Sequence, residues 1–162
     1  MSKRVIQYRR KRKGRTDYKT RLSLLKSGLV RLVIRKSNKS VVAQLVEYDA
    51  DGDKVVATAR ASDLKKLGWK AAAGNLPAAY LTGILLANKV KKKINGDIIV
   101  DIGLQTHHKG SRVYAVAKGA KEAGLKVRIG EESLPPDERA QGQHINETMP
   151  KQVADMKIKL MK

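Results

Sequence analysis

Apolar positions along this chain follow three patterns, and the longest organises the others. Leu76, Tyr80, Ile84, Ala87, Val90 and Ile94 recur at three- and four-residue spacing, which predicts a single helix from Asn75 to Gly96 with these side chains on one face. Leu81, Leu85 and Leu86 widen that face beyond what a surface helix needs, so something large must cover it. Asn75 can accept from the first free N–H groups, and Pro77 is tolerated in a first turn that needs no donor. Lys91, Lys92 and Lys93 fall where the helix carbonyls are partly negative, and Gly96 offers a left-handed exit. A membrane span is set aside, because the uncharged run falls short of about 20 residues and contains Pro77, Gly83 and Asn88.

Strand patterns flank this helix. From Leu29 to Arg35 the chain alternates, with Val30, Leu32 and Ile34 on one side and Arg31, Val33 and Arg35 on the other. A turn at residues 36–39, a return strand from Val41 to Tyr48, a turn at Asp49–Asp53 and a strand from Val55 to Ala59 complete an antiparallel meander. Its helix-covered face should be apolar, and Arg31, Arg35, Gln44 and Arg60 should occupy the other. A short helix around Thr20 to Ser27 leads into the meander, and Ser62 caps another through Leu67, closed by Gly68. Asp97 to Ile102 is a near-continuous apolar run, as expected of a strand covered on both faces. A loop from Gly103 to Gly110, a helix capped by Ser111 and running to Gly124, and a strand from Leu125 to Ile129 form a crossover of right-handed sense.

The predicted fold class is therefore α/β, a three-stranded antiparallel meander extended by a βαβ crossover into a mixed sheet covered by helices. An N-terminal basic arm (1–21) precedes the globular core (22–129), and an extended C-terminal segment (130–162) follows. In that last segment acidic residues return (Glu131, Glu132, Asp137, Glu138) beside Pro135 and Pro136. Met149, Val153, Met156 and Leu160 then share one helical face, which docks either on its own domain or on a neighbour.

Charge changes the picture. The 162 residues carry 35 Lys and Arg against 15 Asp and Glu, a formal net charge of +20. A chain so unbalanced repels itself unless a polyanion neutralises it, and a phosphate backbone is a better match than an anionic membrane. The arm concentrates the excess: ten basic side chains stand in residues 1–21 against Asp17 alone, with no apolar periodicity to fold it. Arginine there suits bidentate phosphate contact and stacking on bases, and Tyr8 and Tyr18 add flat surfaces for an unpaired base. The absence of cysteine excludes disulfides and thiolate metal sites. Met1 is followed by charged residues rather than the apolar segment of a secretory signal; a cytoplasmic location is expected.

Candidate catalytic chemistry is thin. Asp49, Asp51 and Asp53 open like a calcium loop, but Gly52 falls two places early and Arg60 stands where the bidentate Glu belongs. A tight Asp/Gly hairpin explains them with less. His107 and His108, with His144 in the tail, lack a third ligand at a readable spacing. Asp97 and Asp101 lie four apart on one strand and could in principle join Asp17 or Asp63 in a two-metal carboxylate set. The simpler reading has Asp97 ending a turn and Asp101 capping the strand exit. Lys109-Gly-Ser-Arg112 at a helix start could hold a phosphate, although no phosphate-loop pattern precedes it. No enzyme signature, cofactor, metal or small-molecule substrate is indicated. The alternatives are a metal-dependent nuclease built on the carboxylates, or a non-specific nucleic-acid packaging protein.

Several motifs occur in an ordered series: Gly14-Arg-Thr-Asp-Tyr18, Arg31-Leu-Val-Ile-Arg-Lys-Ser-Asn38 with Gln44, Gly68-Trp-Lys-Ala-Ala-Ala-Gly-Asn75 and Ala78-Ala-Tyr-Leu-Thr-Gly83. Asp101-Ile-Gly-Leu104, Lys109-Gly-Ser-Arg112, Gly119-Ala120, Ala123-Gly-Leu125, Pro136-Asp-Glu-Arg139 and Gly142-Gln-His-Ile145 follow. The series, from about Arg12 to Ile145, resembles large-subunit ribosomal protein eighteen in its archaeal and eukaryotic form, the family that binds 5S ribosomal RNA. The resemblance implies a structural, non-enzymatic role in the central protuberance, beside 23S rRNA and neighbouring ribosomal proteins including the other 5S-binding protein. It carries RNA contacts to the arm (Arg4, Arg9, Arg10, Lys11, Arg12, Lys13, Arg15, Thr16, Tyr18, Arg21), to Arg35, Lys36, Ser37 and Asn38, and to Lys109, Ser111 and Arg112. Glu122 departs from the family pattern, in which an Asp commonly precedes Ala-Gly. The tail after Ile145 is shorter than in eukaryotic members.

Overall fold

The computed structural model describes residues 5–90, 94 and 96–161. Strands β1 (Val30–Lys36), β2 (Val41–Glu47) and β3 (Lys54–Arg60) form the antiparallel meander. On its other edge β1 takes β4 (Ile98–Asp101) in parallel, and β5 (Val127–Arg128) joins β4, also in parallel. The result is a five-stranded mixed sheet in the order β3-β2-β1-β4-β5. Helices α1 (Arg9–Arg12) and α2 (Tyr18–Leu25) precede the sheet. The others are α3 (Asp63–Lys66), α4 (Leu76–Val90), α5 (Arg112–Glu122), α6 (Asp137–Gln141) and α7 (Met149–Met161).

Alternation in the first two strands sends one set of side chains to a single apolar face. Leu32 opposes Leu45 and Ile34 opposes Ala43, all fully buried beside Val41 and Ala59. Helix α4 lies across that face. Asn75 Oδ1 accepts from Ala78 N–H at 2.9 Å, the cap expected from its side chain. The helix is buried all round rather than on one wide face: of its residues, only Asn88 and Lys89 escape. The reason is that β2 and β3 pack on one side, α5 on a second, and α6 and α7 on a third. The fully buried Thr82 is satisfied within the helix, its hydroxyl donating to Ala78 O at 2.7 Å. Lys91, Lys92 and Lys93, expected at the helix end, lie outside the described residues.

The α4–α5 contact is backbone on backbone. A Cβ added at Gly83 would lie 2.9 Å from Ala120 N and 3.0 Å from Val116 C, and one at Gly119 3.0 Å from Tyr80 C. Only glycine lets the two helices come this close.

One expectation is corrected. The stretch from Asp97 to Ile102 is not covered on both faces: Ile98 is buried, but Ile99 and Val100 are only partly so, because the second sheet face is open there. The C-terminal segment carries the amphipathic helix expected of it, the 13-residue α7, and in addition the short α6. Met149, Val153 and Met156 of α7 are buried in the chain's own core, which settles where that apolar face docks, each such side chain contributing about 1.5–3 kcal/mol. Tyr80 O–H donates to Glu122 at 2.5 Å, and Lys157 Nζ bonds the same carboxylate at 2.9 Å. One acidic side chain thus ties α4, α5 and α7 together. Burial first, and the Glu122 bond second, push the Tyr80 phenol up to about 12. Arg31 stands on the sheet face expected of it but is only 1% exposed, enclosed by Asp53 and Asp101.

Candidate nucleic-acid interface

The arm folds locally, although its sequence has no apolar periodicity. Arg10 Nε donates to Thr16 Oγ1 at 2.8 Å and Arg15 N–H to Arg10 O at 2.9 Å, which curls the segment after α1. Asp17 then caps α2, accepting from the N–H of Lys19 and Thr20 at 2.9 and 3.3 Å and from the Thr20 hydroxyl at 2.7 Å. The Thr20 hydroxyl foremost, with those N–H groups, holds the Asp17 carboxyl below its usual value. The helix expected at Thr20 therefore starts at Tyr18, inside the stretch read as arm. Tyr8 and Tyr18 face each other, ring centroids 5.1 Å apart at 39°, so the two flat surfaces are in contact rather than separately presented. Side chains from Arg9 through Arg15 stand exposed, while Arg4 lies outside the described residues.

Behind the arm lies a cleft of about 770 Å³ between α2, the end of β1 and the loop after β4. Arg10, Arg15, Arg21 and Arg35 supply its cations, Tyr18 and Leu104 its apolar surface, and Asp17, Asp53 and Asp101 its carboxylates. Beneath it runs a chain of alternating charges. Arg21 Nη2 donates to Asp53 Oδ2 at 2.9 Å, and Arg31 Nη2 lies 2.7 Å from the same oxygen. Arg31 Nη1 reaches Asp101 Oδ2 at 3.3 Å, and Asp101 Oδ1 lies 3.5 Å from Arg35 Nη2. Burial alone would raise the Asp53 carboxyl, but the guanidinium groups of Arg31 and Arg21 beside it outweigh burial and hold the group below its usual value.

Arg35 is fixed without being hidden. Its Nη1 donates to the Ile34 and Asp101 carbonyls at 2.9 and 3.1 Å, and its side chain remains 48% exposed. The guanidinium lies across Gly103, where a Cβ would come within 3.0 Å of it and where φ is +61°. Both facts favour glycine at that place. Gln105 locks the loop to the strand end: its Nε2 donates to Ile34 O at 2.6 Å, and its Oε1 accepts from Lys36 N–H at 3.0 Å. Ser37 Oγ donates to Ser40 O, closing the turn that carries the exposed Ser37 and Asn38.

The second predicted cluster is differently engaged. Arg112 donates to the Ser37 and Gly74 carbonyls at 3.1 and 2.7 Å, and Lys109 pairs with Glu132 at 2.9 Å. Ser111 occupies the cap position of α5 without a side-chain cap bond. The structure thus brings together the arm, Arg35 and the turn after it, whereas Lys109 and Arg112 serve protein contacts, Arg112 bracing that turn from behind.

Sequence reasoning missed Asp53, Asp101, Arg31 and Gln105 as parts of this site. Arg31 and Asp101 stand 70 residues apart, and only the pairing of β1 with β4 makes them neighbours. The carboxylates do not form a metal set. Asp97 pairs with Arg128 at 2.7 Å, Asp63 accepts Arg60 N–H at 3.1 Å, and Asp49 pairs with Lys54. Asp101 also accepts Gly103 N–H at 2.8 Å, the strand-exit cap expected of it. No group of three or more His, Cys, Asp or Glu could hold a metal ion among the described residues. No described helix is long and apolar enough to cross a membrane.

A basic arm pinned over the open face of a helix-backed mixed sheet defines a class of protein: a scaffold that meets a polyanion with a shaped cationic surface. The comparisons make the assignment specific. Residues 2–101 match the family described as "Ribosomal large subunit proteins 60S L5, and 50S L18". The chain is 42% identical over 151 residues to large ribosomal subunit protein uL18 of Methanoculleus marisnigri, covering 93% of this chain and 86% of that protein. It is 50% identical over 142 residues to the protein of the same name from Halobacterium salinarum, covering 88% and 78%. The chain belongs to this family of large-subunit ribosomal proteins. Its role is that of a structural constituent of the ribosome, not of an enzyme, which removes the nuclease alternative.

Proposed function

We propose that this protein binds 5S rRNA and helps to anchor it in the central protuberance of the large subunit. There it meets 23S rRNA and neighbouring ribosomal proteins, including the other 5S-binding protein. The observation that carries the reading is the exposed run from Arg9 to Arg15 set beside Arg35 on one side of the sheet. Phosphate contacts from the arm supply affinity that is blind to sequence, while the fixed Arg35 and the Ser37–Asn38 turn meet one particular RNA surface. Arg4, Thr16 and Lys36 are further RNA contacts in this reading, as are Lys109, Ser111 and Arg112. Packaging by charge alone is disfavoured, since phosphate contact requires neither a fixed Arg35 nor a locked turn.

The test is crosslinking in cell extract followed by sequencing of the attached RNA, with filter binding of the purified protein at several salt concentrations. Recovery of 5S rRNA, bound tighter than a random duplex at matched salt, is the expected result. Recovery of mostly messenger RNA or DNA overturns the reading.

A further inference from the structure

We infer that Asp53 is a positioning residue for RNA binding: it latches the basic arm onto the open face of the sheet through Arg21. The inference rests on the proposal that RNA is the ligand, and it assigns a role to a carboxylate in a surface where acid is otherwise unfavourable. Apolar burial holds the arm only weakly: neither α1 nor α2 contains a buried residue, and Leu24 and Leu25 of α2 are only half-buried. Among the described residues, the Arg21–Asp53 bond is the one hydrogen bond between residues 5–28 and residues 30–161, with Asp53 in the turn that leads into β3.

Asp53 is itself held from below. Arg31, 1% exposed, lies 2.7 Å from the oxygen that Arg21 uses and is anchored on its far side by Asp101. Arg31 Nη2 is close to Asp53 but poorly aligned for a hydrogen bond, so the contact is Coulombic, and the carboxylate stays available to Arg21. The whole chain, Arg21–Asp53–Arg31–Asp101–Arg35, has three cations and two anions. It adds little net charge toward a polyanion; what it adds is a fixed distance between the arm and Arg35. An arm already placed loses less conformational freedom when RNA binds than a free one does.

Charge and positioning predict opposite signs, which makes the test decisive. Asp53→Asn removes a negative group from a cationic face, so electrostatics alone predicts tighter RNA binding at low salt. Positioning predicts weaker binding of 5S rRNA, by roughly tenfold, equivalent to ordering one or two long side chains on capture. The log–log salt slope should stay the same, because Asp53 touches no phosphate. In the full-length protein without RNA, trypsin should cut between Arg9 and Arg15 several-fold faster in the variant. That readout stands even if the natural RNA is not 5S rRNA, so a wrong RNA and a wrong latch fail separately.

Two controls guard against a folding defect. The buried Trp69 (3% exposed) reports through its fluorescence whether the core remains intact. Arg21→Gln breaks the same latch while leaving Arg31 paired, and should expose the arm to trypsin equally. Adding Asp53→Asn to Arg21→Gln should then produce no further loss of RNA affinity. Tighter binding by Asp53→Asn, unchanged tryptic cutting, or additive losses in the double variant would each overturn the latch.

Discussion

Replacing Gly83 with alanine sets two effects of opposite sign against each other. In an exposed helix interior, alanine is favoured over glycine by about 0.8–1 kcal/mol, so propensity alone predicts a stabilised protein. The structure predicts the reverse. The new Cβ would stand 2.9 Å from Ala120 N, 3.0 Å from Val116 C, and nearer still to the Val116 carbonyl oxygen. Non-bonded heavy atoms sit best at roughly 3.5–4 Å, so α4 and α5 would have to part by on the order of 1 Å. Every obstructing atom is backbone, and no rotamer change can relieve it. Overpacking of this kind costs about 1–3 kcal/mol, and the upper part of that range applies where whole helices move. The balance is a net loss of about 1–2 kcal/mol, or roughly 2–8 °C in Tm for a chain of this size. Thermal unfolding followed by far-UV circular dichroism and by Trp69 fluorescence measures it. Gly119→Ala meets the same obstacle from the other side, and the double variant should lose less than the sum, since helices already parted accommodate the second methyl. A Tm raised by 2–4 °C in the single variant, about what the propensity gain alone would give, would refute the close contact.

Other outcomes follow from the same framework. Leu85→Asp buries an unpaired charge at a position 9% exposed and should cost on the order of 3 kcal/mol or more; an unchanged melting temperature would contradict the all-round burial of α4. Tyr80, with its phenol pushed up to about 12 by burial and Glu122, favours the neutral form in the fold. The stability it contributes is complete below the ordinary tyrosine value of about 10 and is lost as pH rises from there through 12. Two of the five tyrosines, Tyr80 and Tyr114, whose phenol burial also raises, should therefore ionise late in an absorbance titration, and Tyr80→Phe should remove one of those steps. Deleting residues 1–16, which stops short of the Asp17 cap, should leave the core folded. It should also flatten the salt dependence of RNA binding by about 4–5 log–log units if ~6 phosphate contacts are lost; an unchanged slope would make the arm a bystander. Arg35→Ala should weaken 5S rRNA binding more than binding to a random duplex, and equal losses would remove Arg35 from the recognition surface.

Periodicity made the meander, the central helix and the crossover legible, because each buries an apolar set at its own spacing. The cap at Asn75 and the strand-exit role of Asp101 were legible for a similar reason: both act on backbone within three residues of themselves. What was illegible depended on pairing at a distance. Alternation put Arg31 on the open face, which is right, but could not tell that Asp53 and Asp101 would enclose it. Burial of α4 on every side was hidden because the covering elements, α6 and α7, lie in a segment whose Pro and acidic residues read as surface. Glu122 stood out as a departure from a family pattern, yet its bonds to Tyr80 and Lys157 follow only from the stacking of three helices. The arm was misjudged for a subtler reason: Asp17 and Thr16 organise it by local polar bonds, which leave no hydrophobic trace.

The position of β1 imposes an order on biosynthesis. This strand is the seam of the sheet, antiparallel to β2 on one edge and parallel to β4 on the other. Its first partner follows within a few residues, whereas β4 begins only at Ile98. At a synthesis rate of about 5–20 residues per second, the finished meander waits roughly 2–8 s for the strand that closes it. Throughout that interval β1 offers a row of unpaired N–H and C=O groups beside Leu32 and Ile34, and Arg31 has lost water on one side without gaining Asp101. An open edge of this kind is a template for pairing with a second nascent chain. Mutual repulsion between copies carrying so large a positive charge opposes such pairing until β4 arrives, so the basic character that suits the finished protein to RNA also shields the unfinished one.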